Sequence, residues 1–169
     1  VKSLIDLEAF LKAILADHQS QFQERKIELI ADFGPEVWLV GDQLHLYEVF
    51  NNLIDNAVEA IESNGQIYLI VTTRRKMVTI TIKDTGKGIP SKMLPHIFDP
   101  FYTTKNTRRN FGLGLPYCYI VLKKHGGTIE VKSKQDQGTT FYLNLPRFNQ
   151  KKFYLVRGGS NVSNKNISG

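Results

Sequence analysis

Apolar residues recur at three- and four-residue spacing in three stretches of the chain, and this period predicts three main helices. The first helix is predicted from a cap at Ser3 to about His18. The second is predicted from a cap at Asp42 to a stop at residues 63–65, and the third begins at residues 112–114. The second helix is expected to bury Leu46, Phe50, Leu53, Ala57, Ala60 and Ile61.

Between these helices, short runs rich in β-branched and aromatic residues predict strands. The predicted strands cover residues 27–33, 37–40, 66–73, 77–83, 128–133 and 139–145. Residues 66–73 and 77–83 are expected to form one hairpin, and residues 128–133 and 139–145 a second, around the turn at residues 135–138. Residues 91–97 predict a short helix, and residues 99–111 lack a sustained period, which indicates a mobile loop. This order of elements favours an α/β (α+β) two-layer sandwich, with three main helices on one face of a mixed, mainly antiparallel sheet of about five strands.

The length and the apolar content are typical of one domain. With 169 residues, of which 41% are hydrophobic, the chain can form a single buried core. The periodic elements end near Pro146, so residues 1–146 are the predicted domain. Residues 147–169 are mostly polar, and we expect a poorly ordered tail, in which residues 153–156 could add a strand or dock a partner.

The chain is basic, with a net charge of +6, but its lysines and arginines form no long basic helix or stripe. A solvated surface explains this charge, so we expect no nucleic-acid partner. The single cysteine, Cys118, is expected in the core and excludes an internal disulfide or a cysteine-rich zinc site. No apolar run has the roughly 18–20 residues that span a bilayer. We therefore expect a cytoplasmic fragment without membrane contact, whose parent protein could be anchored in the plasma membrane.

Two asparagines lie four residues apart on the second predicted helix. Asn52 and Asn56 therefore share one face, with Glu48 and Glu59 close to it. Amide and carboxylate oxygens suit a hard cation such as Mg²⁺, whose other ligands are water and phosphate oxygens. The face could hold a metal–nucleotide complex, or it could simply be the solvated side of an amphipathic helix.

Two glycine-containing segments lie where a ligand can approach the backbone. Residues 84–90 follow a predicted strand directly; the Asp84 carboxylate there can accept a hydrogen bond from the amino group of adenine, and the glycines admit a flat ring. An ordinary turn explains the same residues equally well. Residues 112–115 open a helix and offer free N–H groups to a triphosphate. Neither segment has the ending of a P-loop or the spacing of a dinucleotide fingerprint.

Together, five segments resemble the ordered motifs of the GHKL superfamily (Bergerat fold), which joins sensor histidine kinases, type II topoisomerases, a heat-shock chaperone and mismatch-repair ATPases. The segments are residues 52–57 (asparagine box), 84–90 (first glycine box), 97–105 (phenylalanine box of histidine kinases), 111–115 (second glycine box) and 138–141 (closing glycine-threonine motif). The chain is thus similar to the ATP-binding catalytic domain of a sensor histidine kinase in a two-component system.

The resemblance implies a role for individual residues, with ATP and Mg²⁺ as cofactors. Asn56, assisted by Asn52, would hold Mg²⁺; Asp84 would recognise adenine with support from Thr139 through a water. A mobile ATP lid over residues 102–111 would bring Lys105 to the γ-phosphate, and Lys105 and Asn52 would be catalytic. The implied ATP-binding residues are Asn52, Asn56, Asp84, Gly86, Gly88, Ile89, Tyr102, Thr103, Thr104, Lys105, Gly112, Leu113, Gly114, Leu115 and Thr139.

The chain departs from the family pattern in two ways. Glu59 stands where many members carry a phosphate-contacting lysine, so Lys105 would supply more of the positive charge. No histidine matches the phosphoacceptor motif, and His18, on the first predicted helix, is expected to be a surface histidine. The implied partners are therefore a separate dimerisation/phosphoacceptor histidine domain and, through the parent kinase, a response regulator.

The leading hypothesis is that the chain binds Mg-ATP and donates the γ-phosphate to a histidine of that partner domain. The alternatives are a GHKL-type serine kinase or ATPase, and a nucleotide-binding pseudokinase, an interaction module that uses the fold only to dock a partner. The hydrolases and serine kinases place a general-base glutamate where Asn52 stands, and an amide cannot accept a proton in that role. Glu48, one helical turn earlier, is the only substitute base considered.

Overall fold

The computed structural model describes residues 1–100 and 115–148 of the chain. Within these ranges the chain forms strands, helices and one 3₁₀ turn. The strands are β1 (Ser3–Asp6), β2 (Ile27–Asp32), β3 (Trp38–Gly41), β4 (Gly65–Arg74), β5 (Met77–Asp84), β6 (Thr128–Lys134) and β7 (Gly138–Pro146). The helices are α1 (Leu7–Asp17), α2 (Gln19–Glu24), α3 (Gln43–Ala60) and α4 (Leu115–Lys124), and the 3₁₀ turn is Leu94–His96.

The main sheet has five strands in the order β2-β4-β5-β7-β6, and it is mixed, as predicted. Only β2 and β4 run parallel; the other three pairs of neighbours are antiparallel. Both predicted hairpins, β4–β5 and β6–β7, are confirmed. Along β4 and β5 alternate residues are buried, because successive side chains point to opposite faces of a strand.

The core lies between this sheet and the helices. α3 contributes the largest buried stripe, and its predicted cap is confirmed, since the Asp42 carboxylate accepts a hydrogen bond from His45 N at 3.1 Å. This backbone bond is the main reason that the pKa of Asp42 falls to about 2. Ala60, predicted to be buried, is only partly covered. The residues of α3 that are buried are Leu46, Val49, Phe50, Leu53, Ile54, Ala57 and Val58.

Two predictions that relied on the local sequence pattern are wrong: the start of the first helix and the short helix over residues 91–97. Ser3 does not cap a helix: residues 3–6 form β1, which pairs with β3, and α1 begins only at Leu7. Leu4 is exposed and Ile5 buried, which is the alternation of a strand and not the period of a helix. The helix expected over residues 91–97 is a single 3₁₀ turn, because Pro95 has no N–H to donate to a preceding carbonyl.

Polar contacts of residues next to α1 and α2 connect these helices to α3. His18 is 3% exposed, so its expected surface position is wrong. Its ring nitrogens lie 2.9 Å from Ile14 O and 3.0 Å from an Asp55 carboxylate oxygen. Arg25 donates to the carbonyl oxygens of Val58 and Ile61 at the end of α3, where helical carbonyls lack partners.

Candidate functional site

A pocket opens between α3, the end of β5 and the start of β7. Three separate parts of the chain supply its walls: the last turns of α3, the loop after β5, and the start of β7. Among the described residues, the lining consists of Asn56, Ala60, Asp84, Gly88, Ile89, Thr139 and Phe141. Five residues of the predicted site thus meet in one place: Asn56, Asp84, Gly88, Ile89 and Thr139.

Asp84 is the charged group of the pocket and is only 4% exposed. It is the last residue of β5, where it pairs with Ile67 on one side and Thr139 on the other. Its Oδ1 accepts hydrogen bonds from Gly86 N at 2.8 Å and Thr139 N at 3.3 Å. Burial raises the pKa of the carboxyl to about 6, and these two backbone bonds oppose that rise. The site therefore holds an acceptor in a poorly solvated place.

A serine on β6 connects the walls of the pocket. Ser133 Oγ accepts a hydrogen bond from Ile89 N at 2.8 Å and lies 2.9 Å from Gly138 O. It also lies 2.8 Å from Thr139 Oγ1. The loop after β5 and the start of β7 are therefore joined through one hydroxyl.

The glycines after β5 are required by close packing of the loop. A Cβ on Gly86 would lie 2.5 Å from Ala60 O, and one on Gly88 would lie 2.1 Å from Lys134 O. Gly88 also has a φ of +68°, in the left-handed region that glycine adopts freely. The loop therefore packs closely between the end of α3 and the β6–β7 turn, and Asp136 N in that turn donates a hydrogen bond to Lys87 O of the loop at 2.6 Å. Admission of a base and ribose by these glycines stays a prediction.

The Asn56 amide lines the same pocket as Asp84 and has an unusual feature. Its Nδ2 is buried and has no hydrogen-bond partner among the described residues. Buried polar groups are nearly always satisfied, so an unpaired amide that lines a pocket suits a ligand. Its oxygen and nitrogen exchange by a half turn, so the same amide can offer oxygen to Mg²⁺. The residues present fit a magnesium–nucleotide complex.

The described residues contain no cluster of three or more His, Cys, Asp or Glu that could hold a metal by itself. A cation at Asn56 would therefore need ligands from water and from nucleotide phosphates, which is how Mg²⁺ is usually held.

Asn52 has different surroundings from Asn56. In the part of the chain that the structure describes, it does not line the pocket. It lies near the thiol of Cys118, which is fully buried on α4, as predicted, and whose Sγ donates to Val49 O at 3.8 Å. Desolvation raises the pKa of this thiol to about 12, so it is not a reactive thiolate. The assistance of Asn52 to the metal, and its catalytic role, stay predictions.

Glu48, the substitute base suggested by the sequence, is close to Tyr117 on α4. Burial, followed by the influence of the Glu48 carboxylate, raises the pKa of the Tyr117 hydroxyl to about 12. Among the described residues Glu48 does not line the pocket.

Several predicted site residues lie outside the described ranges or in the core. Leu115 begins α4 and is buried, so its contact with a nucleotide stays a prediction. The residues outside the described ranges are Tyr102, Thr103, Thr104, Lys105, Gly112, Leu113 and Gly114, together with the rest of the predicted lid and tail residues 149–169.

Three residues around the site were missed in the sequence: Ser133, Ala60 and Phe141. Each could have been found from its spacing or its strand register relative to a predicted site residue. Ala60 is one helical turn after Asn56, and Phe141 is two residues after Thr139 on the same face of a strand. Ser133 lies directly opposite Thr139 in the β6–β7 hairpin, so the register of the hairpin identifies it.

No helix in the described ranges is long and apolar enough to cross a membrane.

Comparison with known families gives one match that covers more than half of the chain. Residues 41–149 match the model of the histidine kinase-, DNA gyrase B-, and HSP90-like ATPases. Among curated proteins, the chain is 34% identical over 148 residues to sporulation kinase A of Bacillus subtilis, which covers 87% of this chain and 24% of that protein. The chain thus spans about a quarter of the length of this relative.

Solved structures give the same fold. The nucleotide-free catalytic domain of histidine kinase ThkA superposes with a TM-score of 0.78 at 25% identity, covering 87% of this chain and 98% of that one. The same kinase in complex with the response regulator TrrA has a TM-score of 0.72 at 23% identity, covering 89% of this chain and 43% of that one. The latter similarity shows the fold alone.

Proposed function

This chain belongs to the histidine kinase-, DNA gyrase B-, and HSP90-like ATPase family, and we propose that it binds Mg-ATP as the catalytic domain of a sensor histidine kinase. The observation that carries the proposal is that one pocket is lined both by a buried Asp84 carboxylate and by Asn56, whose buried Nδ2 has no hydrogen-bond partner among the described residues. The first suits the amino group of adenine, and the second suits the cation that accompanies the phosphates.

Different residues of the chain bind the base, the metal and the phosphates. Asp84 accepts from the base while Gly86 N and Thr139 N hold its other oxygen in place. Asn56 offers an amide oxygen to Mg²⁺, which neutralises charge on the phosphates when it is bound. Lys105 and the predicted lid act at the γ-phosphate, and the helix start predicted from the sequence at residues 112–114 accommodates the phosphates through backbone N–H groups.

We infer that the phosphoryl group passes to a histidine on a separate dimerisation domain, and from there to a response regulator. Two of the four histidines are occupied within the fold: both ring nitrogens of His18 and of His125 have hydrogen-bonding partners. The complex of ThkA with a response regulator supports the second partner. A location of the parent's catalytic region in the cytoplasm follows from the same proposal.

The alternative functions fit the described residues less well. A serine kinase or an ATPase of this family needs a base that activates the attacking oxygen. Asn52 cannot act as one, and Glu48 does not line the pocket among the described residues. A pseudokinase would not need a buried carboxylate and a buried unpaired amide in the same pocket, since both cost stability unless a ligand uses them.

Nucleotide binding is tested by thermal unfolding with and without Mg-ATP. A ligand that binds only the folded state raises the melting temperature as its concentration exceeds the dissociation constant. We expect this rise for the wild-type chain, its loss in Asn56→Ala, and its retention in Asn51→Ala, a control on the same helix. No rise with ATP or ADP, with or without Mg²⁺, would contradict the proposal.

Phosphoryl transfer needs a second experiment. The chain is incubated with labelled ATP and a separately supplied histidine-hairpin domain, and label on the hairpin is measured. We expect acid-labile label on the hairpin only when both proteins are present. Steady release of inorganic phosphate without any labelled hairpin would instead favour the ATPase alternative.

A further inference from the structure

The hydroxyl of Ser133 lies at the centre of three short contacts beside the pocket. Its partners are Ile89 N at 2.8 Å, Gly138 O at 2.9 Å and Thr139 Oγ1 at 2.8 Å. Among the described residues Ser133 does not line the pocket itself. Any effect that it has on a ligand must therefore pass through these partners, of which Thr139 and Ile89 do line the pocket.

The direction of these hydrogen bonds follows from the donors and acceptors available. A hydroxyl has one hydrogen and two lone pairs, whereas the Gly138 carbonyl can only accept and the Ile89 N–H can only donate. All three contacts are satisfied when Ser133 donates to Gly138 O and accepts from both Ile89 N and Thr139 Oγ1. If Ser133 donated to Thr139 instead, the Gly138 carbonyl would lose this bond.

The consequence reaches the ligand through Thr139. With its hydrogen committed to Ser133, Thr139 Oγ1 has only lone pairs left for the pocket. The Asp84 carboxylate beside it is also an acceptor, and its bonds from Gly86 N and Thr139 N both reach Oδ1. The two polar side chains at this end of the pocket, Thr139 and Asp84, therefore both act as hydrogen-bond acceptors and are satisfied by a ligand that donates.

We propose that Ser133 is a specificity-determining residue, which selects purines with a 6-amino group over those with a 6-oxo group by fixing Thr139 as an acceptor. This inference rests on the proposed nucleotide binding. An amino group supplies hydrogens to such a site, whereas a 6-oxo group sets lone pairs against lone pairs. Selection of this kind works by leaving polar groups of the wrong ligand unpaired.

Replacement of Ser133 by alanine removes the acceptor for the Thr139 hydrogen. The hydrogen can then turn toward the pocket, where it becomes a donor for a 6-oxo oxygen or for a water that bridges to the base. Binding of a 6-oxo nucleotide should improve relative to binding of ATP. One hydrogen bond gained by the wrong base corresponds to a loss of about tenfold in discrimination.

The experiment measures dissociation constants of Mg-ATP and of the 6-oxo analogue Mg-ITP, and takes their ratio. We expect the wild-type chain to prefer ATP, and Ser133→Ala to lower this preference about tenfold. Ser133→Thr, which keeps the hydroxyl, should retain most of the preference. Thr128→Ala is the matched control, because it removes a bonded hydroxyl from the same strand, where Thr128 Oγ1 accepts from Asn144 Nδ2 at 3.0 Å.

A double mutant tests whether the effect passes through Thr139. In a Thr139→Val background no hydroxyl hydrogen remains to be directed, so Ser133→Ala should change the ATP-to-ITP ratio no further. If Ser133→Ala weakens both nucleotides equally and leaves the ratio unchanged, Ser133 only packs the loop and the inference is wrong. If the wild-type chain binds neither nucleotide, the failure belongs to the proposed function itself.

Discussion

At the scale of single residues, Asp84 shows a conflict between stability and binding. The folded state places this carboxylate in a nearly dry pocket, where burial raises its pKa from 3.8 to about 6. Such a rise corresponds to a cost of about 3 kcal/mol for carrying the charged form in the fold. A group kept at this cost is a candidate for function, because folding alone would favour a neutral residue.

We predict that Asp84→Asn makes the ligand-free chain more stable and removes ATP binding. The amide oxygen can still accept from Gly86 N, but no buried charge remains, so the free energy of unfolding at pH 7.5 should rise by about 1–2 kcal/mol. The Nδ2 group brings hydrogens where adenine also brings them. Thermal unfolding with and without Mg-ATP measures both effects; a variant of lower stability that still responds to ATP would contradict the assignment.

The pH dependence has a definite sign. Because the folded pKa is raised, the folded state binds the proton more tightly than the unfolded state between pH 3.8 and about 6. Stability attributable to Asp84 is therefore present below pH 3.8 and is lost as the pH rises through about 6. Urea unfolding over this range should show that decline in the wild-type chain relative to Asp84→Asn, and parallel pH profiles would contradict it.

At the scale of elements, the ends of helices and strands place the site. α4 ends in a Schellman motif, in which Gly127 N donates to Leu122 O at 2.8 Å and Gly126 N to Lys123 O at 3.0 Å. Gly126 has a φ of +73°, close to the +68° of Gly88 in the loop after β5. The two glycines differ in their surroundings: a Cβ at Gly126 would meet only Pro146 Cγ at 3.4 Å, whereas one at Gly88 would clash with Lys134 O.

A comparison of alanine variants at Gly126 and Gly88 therefore distinguishes the cost of backbone strain, which both share, from the cost of a steric clash, which only Gly88 has. We predict that Gly126→Ala costs about 1 kcal/mol, the usual cost of a left-handed alanine, and leaves ATP affinity unchanged. Gly88→Ala should cost more than 2 kcal/mol and weaken ATP binding, because the loop must move away from the β6–β7 turn. Urea unfolding and ATP titration of both variants check this; equal stability losses would show that the close approach at Gly88 is unimportant.

Prediction from sequence succeeded for elements with a strong local pattern and failed where pairing partners are distant. The Asp42 cap, α3 and both hairpins depend on neighbouring residues and were predicted correctly. β1 was predicted as the start of a helix, because Leu4 and Leu7 fit a helical period by chance and its partner β3 lies more than thirty residues later. Likewise, local sequence cannot indicate that β2 pairs with β4 in parallel.

At the scale of the whole molecule, β7 is the strand that connects β6 to the rest of the main sheet. It lies between β5 and β6, and its inward residues, including Leu143 and Leu145, are buried. Beyond it, Arg147 N donates to Lys76 O and Phe148 N to Trp38 O, the last contacts of the described chain. Within the described residues 1–100 and 115–148, the chain already forms one continuous hydrophobic core.

We predict that removal of residues 149–169 leaves both the melting temperature and ATP binding within error of the full chain. Removal of residues 143–169 should prevent folding, since it takes Leu143 and Leu145 from the core and leaves β5 and β6 without the end of their shared partner. Thermal unfolding and circular dichroism distinguish the two truncations. A marked loss of stability in the shorter deletion would mean that tail residues 153–156 pack on the domain.

The sequence alone determined the fold class, the long helix with Asn56, and the motif loop that follows β5, because these depend on local period, turn chemistry and fixed spacing. Only the tertiary structure decided that Asn56, Asp84 and Thr139 line one pocket, that Asp84 is buried enough to titrate near pH 6, and that His18 is buried. It also placed Ser133 against Ile89 and Thr139. These properties arise from contacts between segments that are far apart in the chain. Such contacts exclude solvent from a side chain, and a local sequence pattern does not indicate where this happens.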